Sequence, residues 1–226
     1  MLVAAIVGID ARSTIDMDAT IKNFPISKDA IEKMFETILM INLDDSVKMK
    51  IRTIEEIREE AEYAGLRITI ETEFDKIKQM LKVDVTTGED ITPREVEYSF
   101  SLMLEDRKID IMAYNLETVL AEKLETIISR GTANTRMRDF YDVYILTKLQ
   151  SENVNTELLG KALKATSRKR GTFELFNNFE NILDQIEISI DMQNLWKRYQ
   201  IRFSYAIGIE WNQTMRSVKL TMGCLN

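Results

Sequence analysis

Two aspartates, Asp16 and Asp18, stand two apart in the alternating segment TIDMDATI (14–21). In a β-strand, residues i and i+2 share a face, so the two carboxylates lie side by side. Like charges that close repel unless a cation or a bound proton relieves them. Asp84 interrupts the apolar run LKVDV (81–85). With the first pair it makes an all-oxygen donor set of the kind Mg²⁺ takes, in which a few carboxylates are completed by water and substrate phosphates. Asp110, in KIDI, is a rival for the third place. Each of these acids also has a plainer reading as a polar residue on the solvent face of a strand.

Cations and a second pair of acids follow. Lys123 lies on the apolar stripe of 116–130, four residues after Val119 and four before Ile127. A lysine there must pair with an acid or reach solvent, or it serves a bound phosphate as a compact cation. In RDFYD (138–142), Arg138 and Asp142 are four apart and can pair on one helix face. Asp139, on a helix otherwise crowded with aromatic and aliphatic residues, then orients Lys123 or contacts substrate. Lys161, Lys164 and Arg168 recur at helical spacing, with Lys169 and Arg170 after them. This densest basic cluster is either a solvated helix end or a patch for an RNA backbone. Trp196 and Trp211 read as core.

The inventory limits what these residues can do. The chain has 226 residues, one Cys and no His. That removes Ser-His-Asp and Cys-His machinery, an imidazole base, thiolate–imidazole zinc sites and an internal disulfide. No P-loop, G-x-G-x-x-G or G-x-S-x-G pattern occurs. The net charge of −7 argues against nonspecific coating of nucleic acid, while leaving room for a local basic patch. No apolar run approaches the roughly 18 residues of a membrane span. The apolar start MLVAAIVG lacks a basic n-region, so the expectation is a cytoplasmic protein without a signal peptide or membrane segment.

Periodicity supplies the elements that must hold these groups. Short helix is expected at 1–7, and strand at 14–21. A helix capped by Ser27 should run to about Leu43. Strands are expected at 47–54, 66–74, 77–86, 97–104 and 108–113, with a short helix at 55–64. Beyond Asn115 the pattern turns helical, at 116–130, 135–149, 156–170, 173–185 and 190–205, while 211–222 is ambiguous. The expected domains are therefore an α/β domain over 1–115 and a helical bundle over 116–226, an α+β chain overall.

In this order the segments RSTIDMDATI, LKVDVTTGEDITP, AYNLETVLAEKLETIISRG and NTRMRDFYDVYIL, with the tail DMQNLWKRYQIRFSYA, resemble the AbiEii/AbiGii toxin family of nucleotidyltransferases. The resemblance implies a polymerase-β-like nucleotidyltransferase fold followed by a helical bundle that contributes Lys123 and Asp139 to the cleft. It implies that Asp16, Asp18 and Asp84 hold Mg²⁺ (or Mn²⁺), that Lys123 contacts the triphosphate and that Asp139 completes the site. Ser13, Thr14, Arg138 and Asp142 join the nucleotide-binding set. The implied reaction moves NMP from an NTP to an RNA acceptor, tRNA foremost, as the toxin of a toxin–antitoxin or phage-defence pair with a cognate antitoxin. One feature departs from the family: its Gly-Gly or Gly-Ser turn before the D-x-D has no counterpart, since Ala4-Ala5 and Gly8 stand there. Met1 would then fall inside the helix that follows that turn. Two alternatives accompany the leading reading, a catalytically impaired interaction or regulatory module on the same fold, and a metal-dependent nuclease using the same acids.

Overall fold

The computed structural model describes residues 2–8, 10–12, 17–22, 27–57, 65–87, 91–102 and 106–223. The chain divides into two compact units. One spans Thr14–Glu89, and the other combines Leu2–Ser13 with Asp90–Asn226. The division thus falls at 89/90, where periodicity alone had put it near Asn115, and the first residues pack with the helical elements. Helix α1 (Leu2–Val7) belongs to that second unit.

Among the described residues, the first unit is a four-stranded mixed sheet with one helix. It is built from β1 (Met17–Ile21), α2 (Lys28–Leu39), β2 (Lys48–Ile57), β3 (Gly65–Phe74) and β4 (Ile77–Thr87), in strand order β1-β4-β3-β2. β1 runs parallel to β4, and the other two pairings are antiparallel. Alternation separates the faces. Ile54, Leu66, Ile68, Ile70, Val83 and Val85 form a core with Ile31 and Phe35 of α2. Arg67, Glu71, Asp84 and Thr86 alternate with them along β3 and β4, on the opposite face. Ser27 caps α2, its hydroxyl accepting from the Ala30 amide at 3.2 Å. The helix stops at Leu39, short of the expected Leu43, because Met40, Ile41 and Leu43 are exposed and have no core to pack on. The helix expected over 55–64 is corrected for its first residues: Glu55–Ile57 continue β2, where pairing with Arg67, Leu66 and Gly65 satisfies their backbone. Residues 58–64 lie outside the described residues.

The second unit is mostly helical and carries a hairpin, β5 (Val96–Ser101) with β6 (Lys108–Ala113). Six further helices follow: α3 (Leu116–Arg130), α4 (Met137–Gln150), α5 (Thr156–Lys169), α6 (Phe179–Ile188), α7 (Ile190–Arg202) and α8 (Trp211–Met222). Leu120, Leu124 and Ile127 of α3 meet Phe140 and Leu146 of α4, Leu159 and Leu163 of α5, and Trp196, Met215 and Val218 in one core. Both tryptophans are core residues, as expected. The ambiguous 211–222 segment is helix, opened by a reciprocal capping box between Glu210 and Gln213. The expected helix 173–185 divides into a 3₁₀ segment (Phe173–Asn178) and α6. Among the described residues, no helix is long and apolar enough to cross a membrane.

Candidate functional site

In the first unit, the sheet register settles which acid neighbours Asp18. Parallel pairing of β1 with β4 sets Asp18 directly opposite Asp84. Directly paired residues share a face at a strand spacing of about 4.8 Å. Asp110 sits on β6, paired with Ser99 in the separate two-stranded sheet, so it is not a strand partner of Asp18. Two residue pairs along, on the same face, the Thr20 and Thr86 hydroxyls lie 3.3 Å apart. Asp16, Ser13 and Thr14 lie outside the described residues.

Asp84 also has a neighbour on its other side. Arg67 of β3 is its antiparallel partner and donates two hydrogen bonds, Nε to Oδ1 at 2.7 Å and Nη2 to Oδ2 at 2.6 Å. The row Asp18–Asp84–Arg67 therefore crosses three strands. Among the described residues, no group of three potential metal-ligating side chains converges. The donor chemistry nonetheless fits a hard cation. Two carboxylates one strand apart can share it, and a carboxylate that accepts a bidentate arginine keeps lone pairs for a further ligand.

The second unit holds a buried ion network that sequence spacing does not show. Asp142 is fully buried and accepts both arms of Arg12, Nε and Nη2 each at 3.1 Å. The Lys123 ammonium lies 2.7 Å from Asp139 Oδ1 and 3.3 Å from Asp142 Oδ2. Arg136 reaches the other Asp139 oxygen at 3.2 Å. Burial alone would push Lys123 toward its neutral form, but Asp139 and then Asp142 outweigh it and hold its pKa above the ordinary lysine value. Lys123 is thus a fixed cation rather than a proton acceptor. Burial likewise works against Arg12, and Asp142 reverses it. The Tyr141 hydroxyl donates to the Ala11 carbonyl, so α4 grips two successive residues, Ala11 and Arg12. Burial, then Tyr205 and Asp142, push the Tyr141 phenol up to about 12.

These contacts revise two of the sequence readings. Asp142 pairs with Arg12 and Lys123, not with Arg138, whose guanidinium lies over the Phe203 ring at 5.6 Å. Arg170, expected on an RNA patch, turns inward to the buried Glu125 at 2.6 Å and reaches Glu122 at 3.8 Å. Arg168 covers Phe173 at 4.8 Å, and Lys161 pairs with Glu157 at 2.6 Å. Lys164 is exposed and Lys169 half-buried. Arg12 is the functional candidate that spacing missed. Its only local mark is its place just before Ser13-Thr14, and its partner lies 130 residues away.

Comparison with known proteins agrees with the motif reading. No curated protein matches the chain. Among solved structures, the crystal structure of JHP933 from Helicobacter pylori aligns at 13% identity and TM-score 0.46, covering 100% of this chain and 82% of that one. A second H. pylori crystal structure, assigned as a nucleotidyltransferase, aligns at 15% identity and TM-score 0.36, covering 78% and 68%. The family model described as nucleotidyl transferase AbiEii toxin, type IV toxin–antitoxin system, matches residues 1–214. The chain belongs to the AbiEii nucleotidyltransferase toxin family.

Proposed function

We propose that this chain is a Mg²⁺-dependent nucleotidyltransferase acting on RNA, with tRNA as the foremost acceptor, and that it serves in the cytoplasm as the toxin of a toxin–antitoxin pair. The observation that carries the reading is the register of Asp18 against Asp84 in a chain of this family. In the reaction, an RNA hydroxyl attacks the NTP α-phosphorus. A new P–O bond forms as the hydroxyl gives up its proton to solvent, the bond from the α-phosphorus to the β-phosphate oxygen breaks, and pyrophosphate leaves with its electron pair. Asp18 and Asp84, with Asp16 as the sequence-expected third ligand, would hold Mg²⁺ (or Mn²⁺). Bound there, the ion supplies charge neutralisation at phosphate oxygens and lowers the pKa of a hydroxyl.

The chain's own residues do the rest by position and charge. Arg67 fixes the plane of the Asp84 carboxyl group through two hydrogen bonds. Lys123, held protonated, is the cation assigned to the nucleotide's phosphates, and Asp139 orients it. No imidazole is required, which suits a chain without His.

Incubation with labelled NTPs, Mg²⁺ and total tRNA tests the reading. Label should pass to RNA, and Asp18→Asn should reduce transfer at least a hundredfold. Transfer that is absent, or equal in the variant, overturns it. The alternative of a catalytically impaired module draws on one observation, that Arg67 engages both oxygens of Asp84. Calorimetry separates the two, because an impaired module gives no metal-dependent heat with any NTP.

A further inference from the structure

Within the basic cluster expected to meet RNA, Arg170 turns inward to Glu125, and a different cationic surface stands beside the Asp142 network. Phe203 follows the end of α7 in an extended conformation (φ −127°, ψ 103°), and its ring packs back on Tyr199 of that helix at 4.7 Å. Two guanidiniums lie over that ring, Arg138 of α4 at 5.6 Å and Arg202 at 5.4 Å. Among the described residues, no carboxylate pairs with either. The ring is partly exposed and stacks on Tyr205, with centroids 5.5 Å apart and planes at 27°. Tyr205 in turn packs on Tyr141 at 4.8 Å, and Tyr141 is adjacent in sequence to Asp142. An aromatic ladder thus runs from the partly exposed Arg138–Phe203–Arg202 cluster to the buried ion network.

We propose that this Arg138–Phe203–Arg202 platform binds the unpaired end of the RNA acceptor, stacking a base on the ring and neutralising the adjoining phosphates with the two arginines. Single-stranded RNA is recognised in this way, by stacking on aromatic side chains and guanidinium planes with cations along the backbone. The two guanidiniums, with no carboxylate partner among the described residues, favour phosphate, and the ring favours a base of any identity. The inference rests on the RNA-acceptor reading above, and its test needs no catalysis.

Fluorescence anisotropy of a labelled single-stranded RNA dodecamer should be measured against the full chain over a salt series, without NTP. Stacking of about 1–3 kcal/mol per base corresponds to a loss of roughly 5- to 150-fold in affinity for Phe203→Ala. Phe203→Leu keeps apolar packing on Tyr199 and Tyr205 and should lose a similar factor at unchanged Tm. Arg138→Gln with Arg202→Gln should flatten the slope of log K against log salt by about 0.7 per arginine. RNA affinity and salt slope unchanged in the Leu and double-Gln variants overturn the proposal. So does unchanged RNA affinity beside weakened NTP binding in a separate calorimetric titration of the same variants, since that assigns the platform to the nucleotide. Loss of RNA affinity in a chain that transfers no label leaves the platform standing and overturns only the catalytic reading.

Discussion

Asp142 shows how one buried carboxylate governs several functional groups. It is inaccessible to solvent, receives both arms of Arg12 and lies within ion-pair distance of Lys123. Removing its charge strands the buried Arg12 and takes one of two acids from Lys123, and breaking a buried pair from one side costs about 3–5 kcal/mol. Asp142→Asn should therefore destabilise the chain by about that much in urea denaturation. Asp139→Asn should cost less, since its partners Lys123 and Arg136 are partly solvated. Equal losses in the two variants contradict the picture. Lys123 and Asp139 were legible as neighbours because both stood out from apolar helix faces. The Arg12–Asp142 pair was not, because a contact spanning 130 residues has no local period, and the i, i+4 spacing to Arg138 offered a nearer partner. Asp84 was legible as an interruption, but its bidentate hold by Arg67 depended on strand register.

At the scale of elements, caps and cross-strand ladders make separate claims. Asn115 caps α3 by accepting from the Thr118 amide at 2.8 Å, and its own NH₂ donates to the Thr92 and Arg94 carbonyls at 2.7 and 3.0 Å. Asn115→Ala loses a cap worth about 1 kcal/mol and further bonds of about 1 kcal/mol each, so about 2–3 kcal/mol is expected. Ser27→Ala, at an exposed cap with one bond, should cost about 1 kcal/mol. Chemical denaturation of both variants checks the order.

The β2–β3 ladder carries a pH signature. Hydrogen bonds from Lys50 and Arg52 hold Glu71 down to about 2, against an ordinary 4.5. A depressed carboxylate stabilises above its unfolded pKa, and that stability is lost as pH falls through the folded value. The Tm advantage of the wild type over Glu71→Gln should therefore be full above about pH 4.5 and vanish toward pH 2. An advantage that grows on acidification contradicts the assignment. Strand positions were readable from alternation, whereas the end of β2 was not. Glu55–Ile57 carry no helix-breaking residue, and only pairing with Gly65–Arg67 makes them strand.

Across the whole molecule, the two units have different sources of cohesion. Among the described residues, the first rests on a thin core of one helix against one sheet face, with Ile68 and Ile31 fully enclosed. The second encloses a broader core in which Leu124, Phe140, Leu163 and Trp196 are each almost wholly buried. Composition gave no hint of this imbalance, because apolar residues are spread along the whole chain. The exposed apolar side chains of the first unit, among them Met40, Ile41 and Leu43, count in composition yet add nothing to its core. Ile68→Ala and Leu124→Ala each remove a fully buried aliphatic side chain and should each cost about 2–5 kcal/mol. The same loss falls on unequal reserves. Hydrogen exchange followed by mass spectrometry should show Ile68→Ala raising exchange across β2, β3 and β4 while α3 and α4 stay protected. Leu124→Ala should raise exchange in the helices of the second unit and leave those strands nearly unchanged. Exchange that rises throughout the chain in both variants would mean that the two cores open as a single cooperative unit.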